Sequence, residues 1–351
     1  MNLAYGRGVF VAIGMYGTPI VSTNGSSWVR GASGSVEEEG WLRYGNGFFL
    51  RCVFPNILRK STDGINWQSL PWVAFTGTAT GLAFANGQFV VFVQDGPCPL
   101  MYTSATAEGW TNAPLPSMCY VMFSDLCYGA GRYVAVGVDY ARITHTTEVP
   151  CIVTSTNGVD WQRASLSWFW TGMLTHVVYG KGLFLATGYG YVIVSQDGLN
   201  WRRLALPPDW LFTDVAFAEE SFVLAGWAAD QLHTSADGLT WRSRPLGTEI
   251  YPKGIAYGHN TFVVVGAAGA ILQSDSILAL AVRRALSPIE LSISGPPGRS
   301  CTIEGTSDLG ATNNWRSLTT LPFADGLTVW TDTNSTVAGS QVYRAVLVPE
   351  K

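Results

Sequence analysis

The feature that most constrains this chain is an internal repeat, because self-similarity at a near-constant period restricts the fold to stacked or ring-closed units. Seven segments of the 351-residue sequence follow one pattern, approximately Leu-Ala-Tyr-Gly-x-Gly-x-Phe-Val-Ala-Val-Gly. These segments are 3–14, 42–53, 82–93, 126–137, 177–188, 215–226 and 255–266. Their spacing predicts that each copy opens a separate folding unit.

A second pattern, Ser-x-(Asp/Asn)-Gly-x-x-Trp, follows most copies of the first, at 22–28, 61–67, 155–161, 195–201 and 235–241. Its acidic or amide side chain is suited to capping a tight turn, its glycine to a positive φ angle, and its Trp to packing inside the unit. We therefore interpret five residues as structural: Asn24, Asp63, Asn157, Asp197 and Asp237. A sixth copy, 104–110, is degenerate, and the seventh, at 273–275, lacks its Trp.

Alternating apolar residues and turn signals within each unit predict four short strands. A four-stranded unit of this size cannot bury both of its faces alone, so seven copies are expected to close into a ring. The predicted fold class is all-β.

The second pattern resembles the Asp-box (BNR) repeat. Paired with the first pattern, it is similar to bacterial extracellular repeat proteins of sialidase-like propeller type. The resemblance implies a seven-bladed β-propeller over residues 1–276. It implies no ligand, because Asp boxes occur in sialidases, other glycosidases, lyases, receptors, assembly factors and binding modules.

The pattern breaks after residue 276, and the sequence leaves 277–287 open as a linker or as the outer strand of the last unit. Residues 288–351 show alternating strands at 290–294, 301–305, 316–320, 327–331 and 341–348. With Thr302-Ile303-Glu304 and Tyr343-Arg344-Ala345, this region resembles a small β-sandwich module found behind such repeats in secreted bacterial proteins.

Composition excludes several classes of function. Only 13% of the residues are charged and the net charge is −4, so no basic field favours nucleic acid as a partner. No apolar run is long enough for a membrane span, and no signal peptide is visible. The sequence begins abruptly at a first strand, which favours a missing natural N-terminus. From the resemblance we expect an extracellular or cell-surface protein.

In this strand order, loops between second and third strands and loops between units lie on one face, around the mouth of the channel. These mouth loops vary most between copies, which is typical of binding loops on a rigid scaffold. They are rich in aromatic residues on which sugar rings can stack, and we take as candidate ligand contacts Trp41, Tyr140, Trp170, Tyr189, Trp210, Trp227 and Tyr251. The alternative is that these rings fill gaps between units.

Alignment of the copies places Asp125, His176 and Asp214 at equivalent positions near the channel mouth. Such a trio is suited to general acid–base catalysis or to a divalent metal, the one cofactor considered. The alternative is that these side chains cap the backbone of the neighbouring unit. The other three histidines, His145, His233 and His259, share no spacing and are expected in solvated loops or turns.

The leading hypothesis is a secreted or surface-associated module that binds a glycan over the channel mouth. The alternatives are a carbohydrate-active hydrolase or lyase that uses Asp125, His176 and Asp214, and a scaffold for protein partners. Since the Arg-Ile-Pro motif and an arginine triad are absent, a typical sialidase is excluded, and the sequence favours a non-enzyme.

Six cysteines in 351 residues are too few for a disulfide-rich fold. Cys98 and Cys119 both fall in mouth loops and are our first choice for a disulfide. Cys52 and Cys127 fall within predicted strands, where we expect free thiols.

Overall fold

The computed structural model describes residues 2–14, 17–31, 40–53, 57–70, 77–115, 118–140, 148–166, 172–207, 210–226, 230–246, 248–274, 279–284, 288–294, 300–307, 315–323, 327–333 and 342–348. Strands and turns dominate these residues, with a 3-10 segment at Ala267–Gly269, and none of them forms an α-helix. In this part of the chain, no helix is long and apolar enough to cross a membrane. The prediction of an all-β chain is confirmed.

Up to residue 273, consecutive strands pair antiparallel with their neighbours in the chain and form separate sheets. Sheet one contains β1 (Asn2–Gly6), β2 (Val9–Ile13), β3 (Pro19–Ser22) and β4 (Val29–Arg30), and sheet two contains β5 (Gly40–Gly45), β6 (Phe48–Val53), β7 (Ile57–Ser61) and β8 (Gln68–Ser69). Sheet three contains β9 (Thr78–Ala85), β10 (Gln88–Asp95), β11 (Cys98–Ser104) and β12 (Thr111–Pro114). Sheet four contains β13 (Val121–Gly129), β14 (Arg132–Asp139), β15 (Val149–Ser155) and β16 (Gln162–Arg163).

Sheet five contains β18 (Leu174–Gly180), β19 (Leu183–Gly188), β20 (Tyr191–Ser195) and β21 (Asn200–Arg203), and a short edge strand, β17 (Ser165–Leu166), pairs parallel with β21. Sheet six contains β22 (Phe212–Ala218), β23 (Ser221–Gly226), β24 (Gln231–Ser235) and β25 (Arg242–Pro245). Sheet seven contains β26 (Pro252–Gly258), β27 (Thr261–Gly266) and β28 (Ile271–Gln273). We call β1, β5, β9, β13, β18, β22 and β26 the inner strands.

Every inner strand carries an aromatic residue whose ring packs on an aromatic of the second strand. The ring centroids lie 4.6 to 4.9 Å apart in all seven pairs, which are Tyr5–Phe10, Tyr44–Phe49, Phe84–Phe89, Tyr128–Tyr133, Tyr179–Phe184, Phe217–Phe222 and Tyr257–Phe262. Tilted pairs at this separation are favourable beyond the area they bury. The first repeat of the sequence therefore encodes one packing unit per sheet.

The glycine that follows the inner-strand aromatic lies under the ring of the next sheet. A Cβ added to Gly45 would overlap the ring of Phe84, and the same holds for Gly6 with Tyr44, Gly129 with Tyr179 and Gly180 with Phe217. Because no side chain separates them, the inner strands of successive sheets approach closely.

The second repeat forms the turn between the third and fourth strands. In the copy at 61–67, Asp63 Oδ1 accepts hydrogen bonds from the amides of Ile65 and Asn66, at 2.9 and 2.8 Å. Gly64 has a φ of +76°, and Trp67 Nε1 donates to its carbonyl at 2.8 Å. Asp237 accepts from the amides of Thr240 and Leu239, which lower the pKa of its carboxyl to about 2.

The degenerate copy keeps this geometry without the acidic residue. Ser104 Oγ accepts from the amide of Ala107 at 3.0 Å, and Trp110 Nε1 donates to the Ala107 carbonyl at 3.1 Å. Ala107 takes the positive φ, +63°, that the other copies assign to glycine. At the position of the acidic residue, Thr106 Oγ1 accepts from the Glu108 amide at 3.3 Å, so a hydroxyl replaces the carboxylate in this turn.

The described chain divides into two compact units. The first comprises Met1–Thr23, Trp28–Ala256 and Val264–Leu272, and the second comprises Asn24–Ser27, Tyr257–Val263 and Gln273–Lys351. Beyond β28, the second unit contains six strands: β29 (Ala279–Arg284), β30 (Ile289–Ser294), β31 (Ser300–Thr306), β32 (Arg316–Pro322), β33 (Leu327–Asp332) and β34 (Val342–Leu347). They form two three-stranded sheets, in the orders β29-β30-β33 and β32-β31-β34.

Residues from both of these sheets share one hydrophobic cluster, which includes Leu291, Ile293, Cys301, Ile303 and Phe323. Five of their strands coincide within two residues with strands expected from the sequence. The sixth, β29, falls in the segment left open as a linker or an outer strand, and it pairs with β30.

Gly64→Ala tests how tightly the turn packs. A Cβ at Gly64 would overlap Cγ2 of Val11, in addition to straining a left-handed residue, so we expect the free energy of unfolding to fall by about 3 kcal/mol. Gly87→Ala is the matched control, because Gly87 has a φ of +73° with no atom within 4 Å of the added Cβ. Its expected cost is about 1 kcal/mol. Urea denaturation measures both, and equal losses would contradict the packing argument.

Candidate functional site

The inner strands of all seven sheets surround an open cavity, which we call the mouth cavity. Its volume is about 700 Å³, within the range of small-ligand pockets. It is lined by Asn2, Leu3, Gly40, Trp41, Arg43, Thr80, Met122, Ser124, Met173, Thr175, His176, Asp214 and Lys253. These residues lie at the beginnings of the inner strands, on the side of the mouth loops.

A second cavity of about 580 Å³, the turn-side cavity, lies between later residues of the same strands. Four residues line both cavities and therefore lie where the two meet: Leu3, Arg43, His176 and Asp214. Of the three site residues aligned from the sequence, His176 and Asp214 thus lie where the two cavities meet, and Asp125 lies on the turn side of that level.

Asp125 bonds to two other sheets. Its Oδ1 lies 3.3 Å from Nη2 of Arg43 in sheet two, and its Oδ2 accepts the Val177 amide of sheet five at 3.1 Å. Asp125 is 8% exposed and lines only the turn-side cavity. Both carboxylate oxygens therefore serve contacts between sheets.

Asp214 has an equivalent role. Its Oδ2 accepts the Ile255 amide of sheet seven at 2.9 Å, and its Oδ1 accepts the Val215 amide at 2.8 Å. His176 Nε2 lies 3.8 Å from Asp214 Oδ1, which is beyond hydrogen-bond distance. His176 Nδ1 is buried and has no hydrogen-bond partner among the residues that the structure describes. These contacts agree with the capping alternative for both Asp residues.

A row of hydroxyl residues lies beside the trio and was not predicted from the sequence. In sheets three to six the inner strand has one extra residue at a β-bulge, and these residues are Thr80, Ser124, Thr175 and Thr213. Thr213 Oγ1 donates to Pro252 O of sheet seven at 2.8 Å, and Thr80 Oγ1 lies 3.3 Å from Phe123 O of sheet four. Their shared position, one residue before the aligned trio, was the available signal.

The candidate aromatic contacts divide into two groups. Tyr189 and Tyr251 are 55% and 45% exposed at the mouth, whereas Trp41, Tyr140 and Trp210 are half-buried. Trp41 packs on the hydrophobic cluster of sheets two and three while it also lines the mouth cavity. Trp170 and Trp227 lie outside the described residues.

Trp210 stacks on His233, and the prediction made for the position of His233 is wrong. His233 was expected in a solvated loop or turn, but it lies in β24 and is only 2% exposed. Its ring stacks on Trp210 with centroids 3.6 Å apart, and its Nδ1 lies 3.1 Å from Ser243 Oγ. His259 is in a turn as expected, and His145 is outside the described residues.

The structure adds surface and cavity residues that the sequence did not single out. Leu211 is 39% exposed at the mouth, and Met122, Met173 and Lys253 line the mouth cavity. Met122 and Met173 each stand three residues before a member of the aligned trio, and Lys253 occupies the column of the bulged hydroxyl residues. Among the described residues, no group of three His, Cys, Asp or Glu is placed to hold a metal ion.

Cys98 and Cys119 form a disulfide that joins the β10–β11 turn to the connection that leads into β13. Next to it, the Tyr120 amide donates to Pro97 O at 2.5 Å, and the Tyr140 amide donates to Tyr120 O at 2.9 Å. Tyr120 is 45% exposed at the mouth. The disulfide therefore fixes part of the mouth face. Cys52, Cys127, Cys151 and Cys301 are not in disulfides, and burial raises the pKa of Cys52 to about 12.

Asp125→Ala and Asp214→Ala should each lower the free energy of unfolding by about 2 kcal/mol, because each leaves a buried amide without an acceptor. Asn at either position retains an acceptor oxygen and should cost less. His176→Ala is the control, because the approach of His176 to Asp214, at 3.8 Å, is beyond hydrogen-bond distance and its removal leaves every backbone amide with its acceptor. Urea denaturation in which His176→Ala costs as much as the Asp variants would contradict a capping role.

Replacing both Cys98 and Cys119 by Ser should lower the free energy of unfolding by about 3 kcal/mol, because the open chain is less constrained when unfolded. Alkylation of the unfolded, unreduced wild type, followed by mass spectrometry, should modify the four cysteines that are not in the disulfide. Modification of all six would show that the disulfide is absent.

No protein-family model and no curated protein matches this sequence. Solved structures do match, among them YCF48 bound to a D1 peptide, with a TM-score of 0.58 and 18% identity over 77% of this chain and 89% of that chain. YCF48 from Cyanidioschyzon merolae has a TM-score of 0.56 and 15% identity over 78% and 94%. Virginiamycin B lyase from Staphylococcus aureus has a TM-score of 0.59 and 9% identity over 77% and 92%. At such low identities the similarity establishes the fold alone, which is a β-propeller.

Proposed function

We propose that this protein is a scaffold that binds a protein partner, through a peptide segment, over the mouth face of a seven-bladed propeller. The observation that carries the proposal is the exposure of four large apolar side chains in the mouth loops. Tyr120, Tyr189, Leu211 and Tyr251 are each 39% to 55% exposed, and all four lie in mouth loops. Exposed apolar side chains grouped on one face favour a protein interface.

The turn that carries Tyr189 approaches Leu211 across a sheet boundary. A Cβ built on Gly190, the residue after Tyr189, would lie 3.5 Å from Cδ2 of Leu211. Tyr189 belongs to the β19–β20 turn of sheet five, and Leu211 immediately precedes the inner strand of sheet six. The two side chains thus contribute to one surface across neighbouring blades.

The seven-bladed ring is supported by contacts between successive inner strands. Asn2 Nδ2 donates to Gly40 O of sheet two at 2.5 Å, and Asp214 accepts the Ile255 amide of sheet seven. A Cβ at Gly254 in sheet seven would lie 3.6 Å from Leu3 in sheet one. A closed ring gives the mouth face a rigid base, which reduces the entropy lost on binding.

The structural comparison supports a peptide as ligand by analogy. YCF48, whose propeller resembles this one, has been solved with a D1 peptide bound. The analogy concerns the fold and the class of ligand only, since the identity is 18%.

The geometry gives less support to the glycan and enzyme hypotheses. Three of the five described candidate rings are half-buried, and Trp210 is stacked on His233, whereas a glycan platform requires exposed, coplanar rings. Asp125 and Asp214 are engaged by backbone amides, and His176 is not hydrogen-bonded to either of them. A hydrolase or lyase mechanism needs carboxylates that reach the substrate.

The remaining features stay predictions. We infer a propeller over 1–276 and a C-terminal β-sandwich module, supported by the cluster that its two sheets share. We also infer an extracellular or cell-surface location, which the Cys98–Cys119 disulfide supports because structural disulfides persist in oxidising compartments.

Selection of peptides from a random phage-displayed library on the full chain tests the function. We expect peptides that bind the wild type with micromolar affinity and lose at least about tenfold with Tyr189→Ser combined with Leu211→Ser, because these changes remove the apolar contact area. Fluorescence anisotropy of the labelled peptides measures the dissociation constants.

The matched control combines Val159→Ser with Leu239→Ser, two exposed apolar residues on Asp-box turns, 67% and 42% exposed. This variant should bind as the wild type does. A library that yields no binding peptide, together with a glycan array that yields a ligand, would overturn the proposal in favour of the glycan hypothesis.

A further inference from the structure

The walls of the mouth cavity combine apolar and cationic groups in an arrangement that identifies the chemistry of an inserted group. Trp41 contributes an indole from sheet two, and Met122 and Met173 contribute thioethers from sheets four and five. Lys253 contributes an ammonium group from sheet seven. All four side chains are half-buried, so each retains surface toward the cavity.

Arg43 and Asp214, two further charged residues of this wall, already have partners in the fold. Arg43 pairs with Asp125 at 3.3 Å, and both oxygens of Asp214 accept backbone amides. A carboxylate entering the cavity would meet Asp214 as well as Lys253 and Arg43, and a cation would meet the same groups with the opposite signs of interaction. Because charges of both signs line the wall, neither sign of charge on a ligand is favoured.

We propose that the mouth cavity is an anchor site for one aromatic side chain of the bound partner, seated among Trp41, Met122, Met173 and Lys253. This inference rests on the proposed function and adds the residue type that the partner must present. The segment on either side of the aromatic residue lies over the mouth, where Tyr189 and Leu211 are exposed.

Each lining group favours an aromatic over an aliphatic side chain. Thioether sulfurs contact ring edges favourably, an ammonium group is attracted to a ring face, and an indole stacks or packs edge-to-face with another ring. A leucine side chain gains burial from the same walls but none of these three interactions. The cavity volume of about 700 Å³ accommodates a ring together with its neighbouring backbone.

Methyl NMR of the full chain, labelled at its six methionines, tests this proposal. Met122→Leu and Met173→Leu assign the two relevant signals. On titration with N-acetyl-L-tryptophanamide, we expect saturable upfield shifts of these two methyl signals from the ring current, with a dissociation constant on the order of 1 mM for a single anchor. N-acetyl-L-leucinamide should produce smaller shifts and weaker binding, and N-acetyl-L-aspartamide none.

The control variant is Tyr128→Ala. Tyr128 lies on β13, as Met122 does, but it lines the turn-side cavity, so removing it should leave the titration unchanged. Shifts that do not saturate, or equal shifts with the leucine and tryptophan amides, would overturn the proposal.

The outcomes also separate this proposal from the proposed function. Selected peptides that need Tyr189 and Leu211 but contain no aromatic residue would leave the scaffold function standing and refute the aromatic anchor. Saturable binding of the tryptophan amide without any selected peptide would support the anchor site and refute peptide recognition at the surrounding face.

Discussion

The contact between a glycine of one inner strand and the aromatic ring of the next is the constraint on which the propeller depends. Each sheet is apolar on both faces, so it is stable only where neighbouring sheets pack directly against it. Gly45 under Phe84 and Gly129 under Tyr179 allow that approach, because any Cβ would occupy the space of the ring. Sheet three has Ala85 in place of this glycine, and the aromatic of sheet four, Tyr128, is among the exposed large side chains.

Close approach of the inner strands also explains why polar side chains of the channel wall form hydrogen bonds between sheets. Strands of different blades share no sheet ladder, so buried amides at their beginnings need other acceptors. The β-bulges in sheets four and six set Asp125 and Asp214 beside the amides of Val177 and Ile255. What remains toward the mouth is a wall in which thioethers and an indole are prominent.

The sequence allowed the all-β class, the sheet unit and the turn chemistry to be predicted, because all three depend on local spacing. The aromatic pairs and the Asp-box bonds repeat at fixed offsets, and a pattern at fixed offsets is visible without a structure. The role of Asp125 and Asp214 was not predictable in this way. It depends on which backbone amide the next blade presents, and that is set by the packing of whole sheets.

Which aromatic residues of the mouth loops are buried could not be predicted from a local sequence pattern either. Trp210 and Tyr189 both occupy variable mouth loops, yet Trp210 stacks on a histidine of β24 while Tyr189 is 55% exposed. The partner that decides the difference, His233, carries no spacing signal of its own. The pairing of β29 with β30 likewise depends on a strand distant from the repeat, where the sequence left two alternatives.

A rigid ring with a few exposed tyrosines suits recognition of an extended segment for an energetic reason. Tyrosine supplies a large contact area with few rotatable bonds, so it loses little conformational entropy when a partner covers it. The Cys98–Cys119 disulfide removes further freedom beside Tyr120, and the bond from the Tyr140 amide to the Tyr120 carbonyl extends that restraint along the mouth. Because the face is ordered before binding, more of the free energy of contact appears as affinity. Specificity then depends on the cavity, where the indole, the thioethers and the ammonium group favour an aromatic ring.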